Sequence, residues 1–412
     1  MAAALDRTGA EQVYQVGDPD AELAGALEPM NCTAHWDGQR MTLWSPTQFP
    51  EIAARAVAAR LGLPPAQVAV HVTLFGGGFG RRINADYSVE AALVARQVAA
   101  PVQVMWTRED DFGHDYYRPC GRHRFEACLD ARGYPFALRH RLCNPATRAT
   151  YQGAGATGLG KSESGGIVES FYRVPHRKSE YTPLRSGVPR GWWRAVDSTH
   201  AIFAIESFVD ELAAAAGQDP LDYRLALIDR PPVTGAAPDP DTAFVPQRMK
   251  DCLALAASKA GWRQPLPTGR GRGLACCHDQ DTYAALVIEA SVEAGRVVVH
   301  RAVCAADCGT VVHPSGARAQ VEGAIVHGLS AALGERITIE SGRAVETNFH
   351  AYPVLRFHQA PAAVEVHFID RPGVRVTGLG EPALPLVAPA LASALYRVTG
   401  RRLRELPLSL VA

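Results

Sequence analysis

Glu381 is the only charged residue between Arg375 and Arg397, and it stands in the run Thr377-Gly-Leu-Gly-Glu-Pro382 ahead of an apolar, proline-punctuated stretch. Glycines before the carboxylate let another group approach closely, and Pro382 restricts the backbone behind it. Apolar surroundings push a carboxylate toward the neutral range in which a general base works. The competing reading is an ordinary first-turn glutamate that satisfies helix amide groups.

A second segment, Phe75-Gly76-Gly77-Gly78-Phe79-Gly80-Arg81-Arg82, follows a β-branched run from Val68 to Leu74. Exposed backbone N–H groups without side chains can lie against an oxygen-rich ligand. A dinucleotide fingerprint does not fit, because Arg81 stands where the third glycine belongs and residues 95–105 offer no acidic ribose partner. A plain tight turn is an equal alternative. A third segment, Gly191-Trp192-Trp193-Arg194-Ala195, sets a guanidinium beside aromatic faces, which suits planar or anionic groups. Tyr116-Tyr117-Arg118-Pro119 has the same chemistry, although such tryptophans and tyrosines are more often core.

Elements that could position these groups alternate along the chain. Strand-like Met41–Trp44 leads to a helix over 50–61, closed by Gly62. Further helices are expected at 87–98, 197–215, 249–260, 321–333 and 389–399, with Asp219 capping one that starts at Pro220. Strands are expected at 68–74, 102–106, 123–129, 136–143, 273–277, 284–292, 296–305 and 363–369. Residues 144–166 read as a long glycine-rich loop, and the prolines between 229 and 244 mark a linker. The fold class is α+β, two lobes of mixed sheet and helices. The divisions are a poorly ordered segment 1–25, a first lobe 26–230, a linker 231–248 and a second lobe 249–412.

Composition narrows the function classes. Lys plus Arg equals Asp plus Glu at 42 each, so no charge excess points to nucleic acid or an anionic membrane. No apolar run reaches the ~18–20 residues of a membrane span, and residues 1–17 lack the pattern of a leader peptide. The nine cysteines show no C-x-x-C spacing and no iron–sulfur run, and no Cys/His group has the spacing of a zinc site.

Taken together, the segments resemble the molybdopterin-binding large subunit of the xanthine dehydrogenase/aldehyde oxidase family, nearest the isoquinoline 1-oxidoreductase beta-subunit type. The stretches that carry the resemblance are Leu27-Glu-Pro-Met-Asn-Cys-Thr-Ala-His35, His71 to Arg82, Trp106-Thr-Arg-Glu-Asp-Asp111, Trp193-Arg194 and Glu206-Ser-Phe-Val-Asp-Glu211. Arg318-Ala-Gln-Val-Glu-Gly323, Asn348 to Arg356 and Gly380-Glu381-Pro382 complete the ordered set.

The resemblance implies roles. Gly76, Gly77, Gly78, Phe79, Gly80 and Arg81 would lie beside the molybdenum cofactor, with Trp193, Ala195, Gln320, Gly323 and Gly380 completing its cradle. Glu381 would be the base and Arg194 an active-site arginine, while Arg118 and Trp192 would contact substrate. The cofactor would be molybdopterin, as its cytosine dinucleotide, with electrons leaving to [2Fe–2S] clusters on a partner subunit.

The family's earlier region, with a Gly-Gln-Gly-containing loop, is not found here, so a second molybdopterin-binding chain is expected to carry it. A cytochrome c is a further candidate acceptor. The compartment is open: periplasmic if a Tat-exported partner carries the chain, cytoplasmic otherwise. The implied activity is oxidation of an aldehyde or N-heterocycle with water-derived oxygen. The alternative is a truncated, non-catalytic relative that serves binding or assembly. His313 stands where many relatives have asparagine.

Overall fold

The computed structural model describes residues 10–16, 26–98, 100–152, 171–230 and 244–410. Two four-stranded sheets share one wiring, apart from where the far-edge strand falls in the chain. In the first, Asn31–Trp36 and Met41–Ser45 form a hairpin. The helix Pro50–Leu61 then crosses over to Val68–Val72, which runs parallel to Met41–Ser45. A second helix, Asp86–Val98, leads to Val102–Met105 on the far edge, beside Asn31–Trp36.

The second sheet repeats the scheme. Thr282–Glu293 and Arg296–Asp307 pair as a hairpin, Pro314–Leu333 crosses over, and Ala363–Phe368 lies parallel to Arg296–Asp307. The helix Val387–Thr399 follows, but the far edge is taken by Arg270–Asp279, which precedes the hairpin in the chain instead of following the second helix. Parallel neighbours require such helical crossovers, since a tight turn can join only antiparallel strands.

Because the wiring repeats, the glycine-rich loop and the Glu381 loop occupy the same place in their units. Each leaves the parallel edge strand and precedes the second helix. No short repeat in the sequence announces this correspondence.

A mixed five-stranded sheet joins the ends of the chain, in the order Glu405–Leu406, Ala10–Val16, Gly121–Leu129, Pro135–Pro145 and His176–Leu184. Ala10–Val16 lies inside the segment 1–25 expected to lack order, and the structure corrects that expectation for these seven residues. Its partners are more than a hundred residues away, so local sequence does not reveal it.

The expected lobes 26–230 and 249–412 do not each enclose a core. One core runs from Phe125 to Leu408 across that division, and residues 26–106 hold a separate one. The reason is the helix Ser198–Ala215. Its periodicity suggests one apolar face, but it is buried on nearly every side. Phe208 stacks on Phe125 of the five-stranded sheet at 4.9 Å, and the buried Asp210 accepts from Ser393 of Val387–Thr399 at 2.7 Å.

Local signals explain several boundaries. Asp219 accepts from the amides of Leu221 and Asp222, and Pro220 opens the helix Pro220–Ile228. Gly62 closes Pro50–Leu61 in the left-handed region at φ 67°. His313 Nδ1 accepts the Gly316 N–H at 2.9 Å, the capping bond an asparagine would make. The linker expected at 231–248 lies outside the described residues up to 243, and the helix Pro246–Lys259 begins inside its last residues. Of the expected loop 144–166, residues 148–152 are helical and those from 153 onward lie outside the described residues. Among the described residues, no helix is long and apolar enough to cross a membrane.

Candidate active site

The glycine-rich loop is held from beneath. Glu28 accepts the Gly76 N–H, and Gln48 Oε1 accepts the Gly80 N–H at 3.0 Å. No acceptor among the described residues takes the N–H groups of Gly77, Gly78 and Phe79. These three are the donors the loop has left for a ligand. Phe79 adopts φ 47°, a left-handed conformation uncommon for a non-glycine residue.

Arg81 and Arg82 turn inward instead. Arg81 bonds Asp86 at 2.8 and 2.9 Å and pairs with Asp115 at 2.5 Å, and it is 1% exposed. Arg82 bonds the carbonyls of Gly77 and Glu28 at 2.9 Å each. The guanidinium of Arg81, a residue expected to lie beside the cofactor, is committed to the half-buried Asp86 and the buried Asp115. Their role is to brace the loop.

Gly80 connects this loop to the Trp192–Ala195 segment. At φ 100° it sits so close that an added Cβ would lie 2.1 Å from the Trp192 carbonyl oxygen. Trp192 stacks on Tyr151 at 4.5 Å. Trp193 is buried, with His327 packed edge-on at 4.9 Å, and His327 meets Phe79 at the same distance. Burial pushes His327 down to about 3, with Arg194 adding to the effect, so it stays a neutral wedge between the two rings.

Arg118 also lies in the interior. It is 3% exposed, its guanidinium is 5.2 Å from the Trp193 ring, and it lines a small cavity with Thr199, Gly328, Leu384 and Leu406. Arg118, expected to contact substrate, is thus buried against the Trp193 ring.

The other expected residues converge. Arg194 Nε donates to the Gly380 carbonyl at 2.7 Å, and its Nη2 donates to the Gln320 carbonyl at 3.0 Å and to Gln320 Oε1 at 3.3 Å. One guanidinium thereby ties together three segments far apart in sequence, a use that its rigid donor fork favours. Burial lowers the Arg194 pKa, and the negative charge of Glu381 opposes that shift. Gly323 lies one turn from Gln320 on the same helix, and an added Cβ there would reach Arg194 Nη1 at 3.9 Å.

Glu381 is half-buried, and its Oε1 accepts the Ala195 N–H at 3.0 Å. Its Oε2 has no hydrogen-bond partner among the described residues. Ala195 and Val196 take φ 70° and 42°, so the turn that aims this N–H at the carboxylate is strained. The loop itself is pinned from the second sheet. The Gly378 N–H donates to the Gln280 carbonyl at 3.1 Å, and Thr282 Oγ1 donates to the Gly378 carbonyl at 2.6 Å.

Sequence reasoning missed Gln48 and His327, neither of which stands in a recognisable local pattern. Glu28 falls inside one of the quoted stretches but carried no assigned role. Among the described residues no three His, Cys, Asp or Glu side chains are placed to hold a metal ion, and all nine cysteines are free thiols.

A loop with three unclaimed amides, bridged by the Trp192 backbone to a carboxylate with one anchored and one unclaimed oxygen, fits an anionic, oxygen-rich cofactor held beside a base. Fold and site together define an α+β cofactor-binding protein. Residues 11–227 and 256–361 each match the family described as molybdopterin cofactor-binding domain. The isoquinoline 1-oxidoreductase beta chain from Brevundimonas diminuta is 32% identical over 94% of this chain and 49% of its own length. A nicotinate dehydrogenase chain from Pseudomonas putida is 28% identical over 94% of this chain and 33% of its own. The crystal structure of quinoline 2-oxidoreductase from Pseudomonas putida 86 superposes with a TM-score of 0.82 at 14% identity, covering 99% of this chain and 76% of that one. That last likeness is one of fold. The chain belongs to the xanthine dehydrogenase family, as a molybdopterin-binding chain of the isoquinoline oxidoreductase type. It spans about half the length of the curated relatives it matches, or less.

Proposed function

We propose that this chain supplies the base and half of the cofactor cradle of a molybdenum hydroxylase that oxidises an aldehyde or an N-heterocycle. The observation that carries this reading is the state of the Glu381 carboxylate. Oε1 is held by the Ala195 N–H while Oε2 is left without a partner among the described residues, beside an arginine that fixes the loop. A base needs that combination, one oxygen to set direction and one to take the proton.

The amides of Gly77, Gly78 and Phe79 would hold cofactor oxygens, with Gly76 and Gly80 clearing space for the approach. Gln320, Gly323, Gly380, Ala195 and the Trp193 backbone would line the opposite side. Arg194 would keep the Glu381 loop in register and place positive charge near the reacting group, and Trp192 would face substrate. When bound, the molybdenum cofactor supplies the two-electron oxidation and a water-derived oxygen. The cytosine dinucleotide form, [2Fe–2S] clusters on a partner subunit, a cytochrome c as acceptor and a second molybdopterin-binding chain belong to the same reading.

Expression of the chain with its genomic neighbours, in a host that makes the molybdenum cofactor, tests it. Metal is measured by elemental analysis and turnover with aldehyde and N-heterocycle substrates. Glu381→Gln should keep the molybdenum and lose activity by about 10²–10⁴-fold. No molybdenum in any complex would instead favour a binding or assembly role.

A further inference from the structure

A second carboxyl lies beside Glu381. Asp279 ends the edge strand Arg270–Asp279, directly before Gln280 and Asp281, which both take left-handed conformations at φ 51° and 59°. Non-glycine residues adopt that region at a cost, so the turn is held by its surroundings. The surroundings are the Glu381 loop, through the Gln280–Gly378 and Thr282–Gly378 hydrogen bonds described above.

Asp279 Oδ1 accepts from Ser198 Oγ at 2.7 Å, while Oδ2 is buried with no partner among the described residues. Ser198 belongs to the same short turn as Ala195, whose carbonyl accepts the Ser198 N–H at 2.8 Å. Glu381 and Asp279 therefore grip one strained turn, Glu381 through the Ala195 amide and Asp279 through the Ser198 hydroxyl. A buried carboxyl oxygen without a donor is costly when charged, and a negative charge nearby adds to that cost.

We propose that Asp279 is a positioning residue for Glu381, coupled to it through the Ala195–Ser198 turn so that proton uptake by one carboxyl changes the charge the other can hold. The inference rests on the assignment of Glu381 as base and deepens it. When Glu381 takes a proton, a negative charge beside Asp279 disappears. When Asp279 holds a proton, it can donate from Oδ2 and no longer repels the Glu381 carboxylate.

The groups that face Asp279 are few. Glu381 approaches from the 377–381 loop. Asp281 lies in its own turn, itself 3.9 Å from Arg375, and the buried thiol of Cys277 lies on its own strand. Ser198 comes from the helix, and Arg194 acts on Glu381. Burial raises Asp279 to about 6, the Ser198 hydrogen bond opposes the shift, and the charges of Glu381 and Asp281 reinforce it.

The test uses the full chain without cofactor, labelled with 13C at aspartate and glutamate carboxyls, with Asp279 assigned by its loss in Asp279→Asn. Asp279 should titrate near 6 in the unmodified chain and about half a pH unit or more lower in Glu381→Gln. Ser198→Ala should move it upward. An Asp279 midpoint that is the same with and without the Glu381 charge overturns the coupling.

In the loaded enzyme, Asp279→Asn should keep its molybdenum while the acid limb of the kcat/KM profile moves. A merely structural Asp279 would lower yield or melting temperature and leave that limb in place, which would also overturn the proposal. Failure of the chain to bind molybdenum would sink the hydroxylase reading and leave the carboxyl titration as an independent result. Full molybdenum and a Glu381-dependent activity without coupled titration would sink only this inference.

Discussion

Replacing Gly80 by alanine brings two costs to one position. The residue sits at φ 100° and ψ −29°, and the left-handed side of the map costs an L-residue about 1–2 kcal/mol. The new Cβ would also stand 2.1 Å from the Trp192 carbonyl oxygen and 2.6 Å from its carbon. Those are backbone atoms, so no rotamer change relieves the overlap, and either the glycine loop or the Trp192–Ala195 segment must move. Overpacking of this kind costs about 1–3 kcal/mol, giving a total of about 2–5 kcal/mol. Gly62→Ala separates the two terms, because Gly62 is left-handed at φ 67° with nothing within 4 Å of an added Cβ. It should cost only the first, about 1–2 kcal/mol.

Thermal unfolding of the two variants beside the parent chain is the assay. Each kcal/mol moves the midpoint about 2–4 °C in a domain of roughly 150–250 residues. Gly80→Ala should melt several degrees below Gly62→Ala and should also lose molybdenum on co-expression, because the displaced segment carries Arg194 and Ala195. Equal melting of the two variants would refute the claim that this glycine is required by contact between the two halves of the site.

Two further outcomes follow from buried charge and buried imidazole. Arg224 and Glu206 are fully buried and bonded at 2.9 Å, and Glu206 also accepts from Tyr172 and the Cys276 amide. Arg224→Met strands that carboxylate and should destabilise the chain by about 3–5 kcal/mol, with Arg224→Met/Glu206→Gln recovering part of the loss. Parental melting of the single variant would contradict this.

His123 bonds His140 and His200 at 3.0 Å on either side, and burial pushes it down to about 3. The folded chain then binds fewer protons than the unfolded one. The stabilising contribution is complete above the ordinary histidine range and is lost as pH falls from about 6.5 toward 3. Chemical unfolding at about pH 6 and about pH 4.5 should show His123→Gln losing about 2 kcal/mol less than the parent across that interval. Equal losses in both proteins would show that His123 takes up a proton while folded.

Much of the chemistry is local enough to read from the chain. A solitary carboxylate between glycines and a proline, a run of glycines after a β-branched strand, and an arginine after paired tryptophans each declare a residue type suited to a task. Helix ends are equally local, as Asp219-Pro220 and Gly62 show, because the capping group and the amide it satisfies lie within a few residues. What the chain could not declare is which way a side chain points. Arg81 and Arg82 adjoin the glycine loop in sequence yet turn into the protein, because Asp86, Asp115 and backbone carbonyls claim them, and Arg118 is buried against Trp193.

Ala10–Val16 is a strand only through partners more than a hundred residues away, and the shared core exists only because Ser198–Ala215 is enclosed on most sides. The pairing of Glu381 with the Ala195 amide is of the same kind, a contact across 186 residues. Composition and spacing determined the candidates, since they act within a few bonds. Tertiary packing decided which candidates meet, since hydrogen bonding and burial depend on distance in space, for which separation along the chain is no guide.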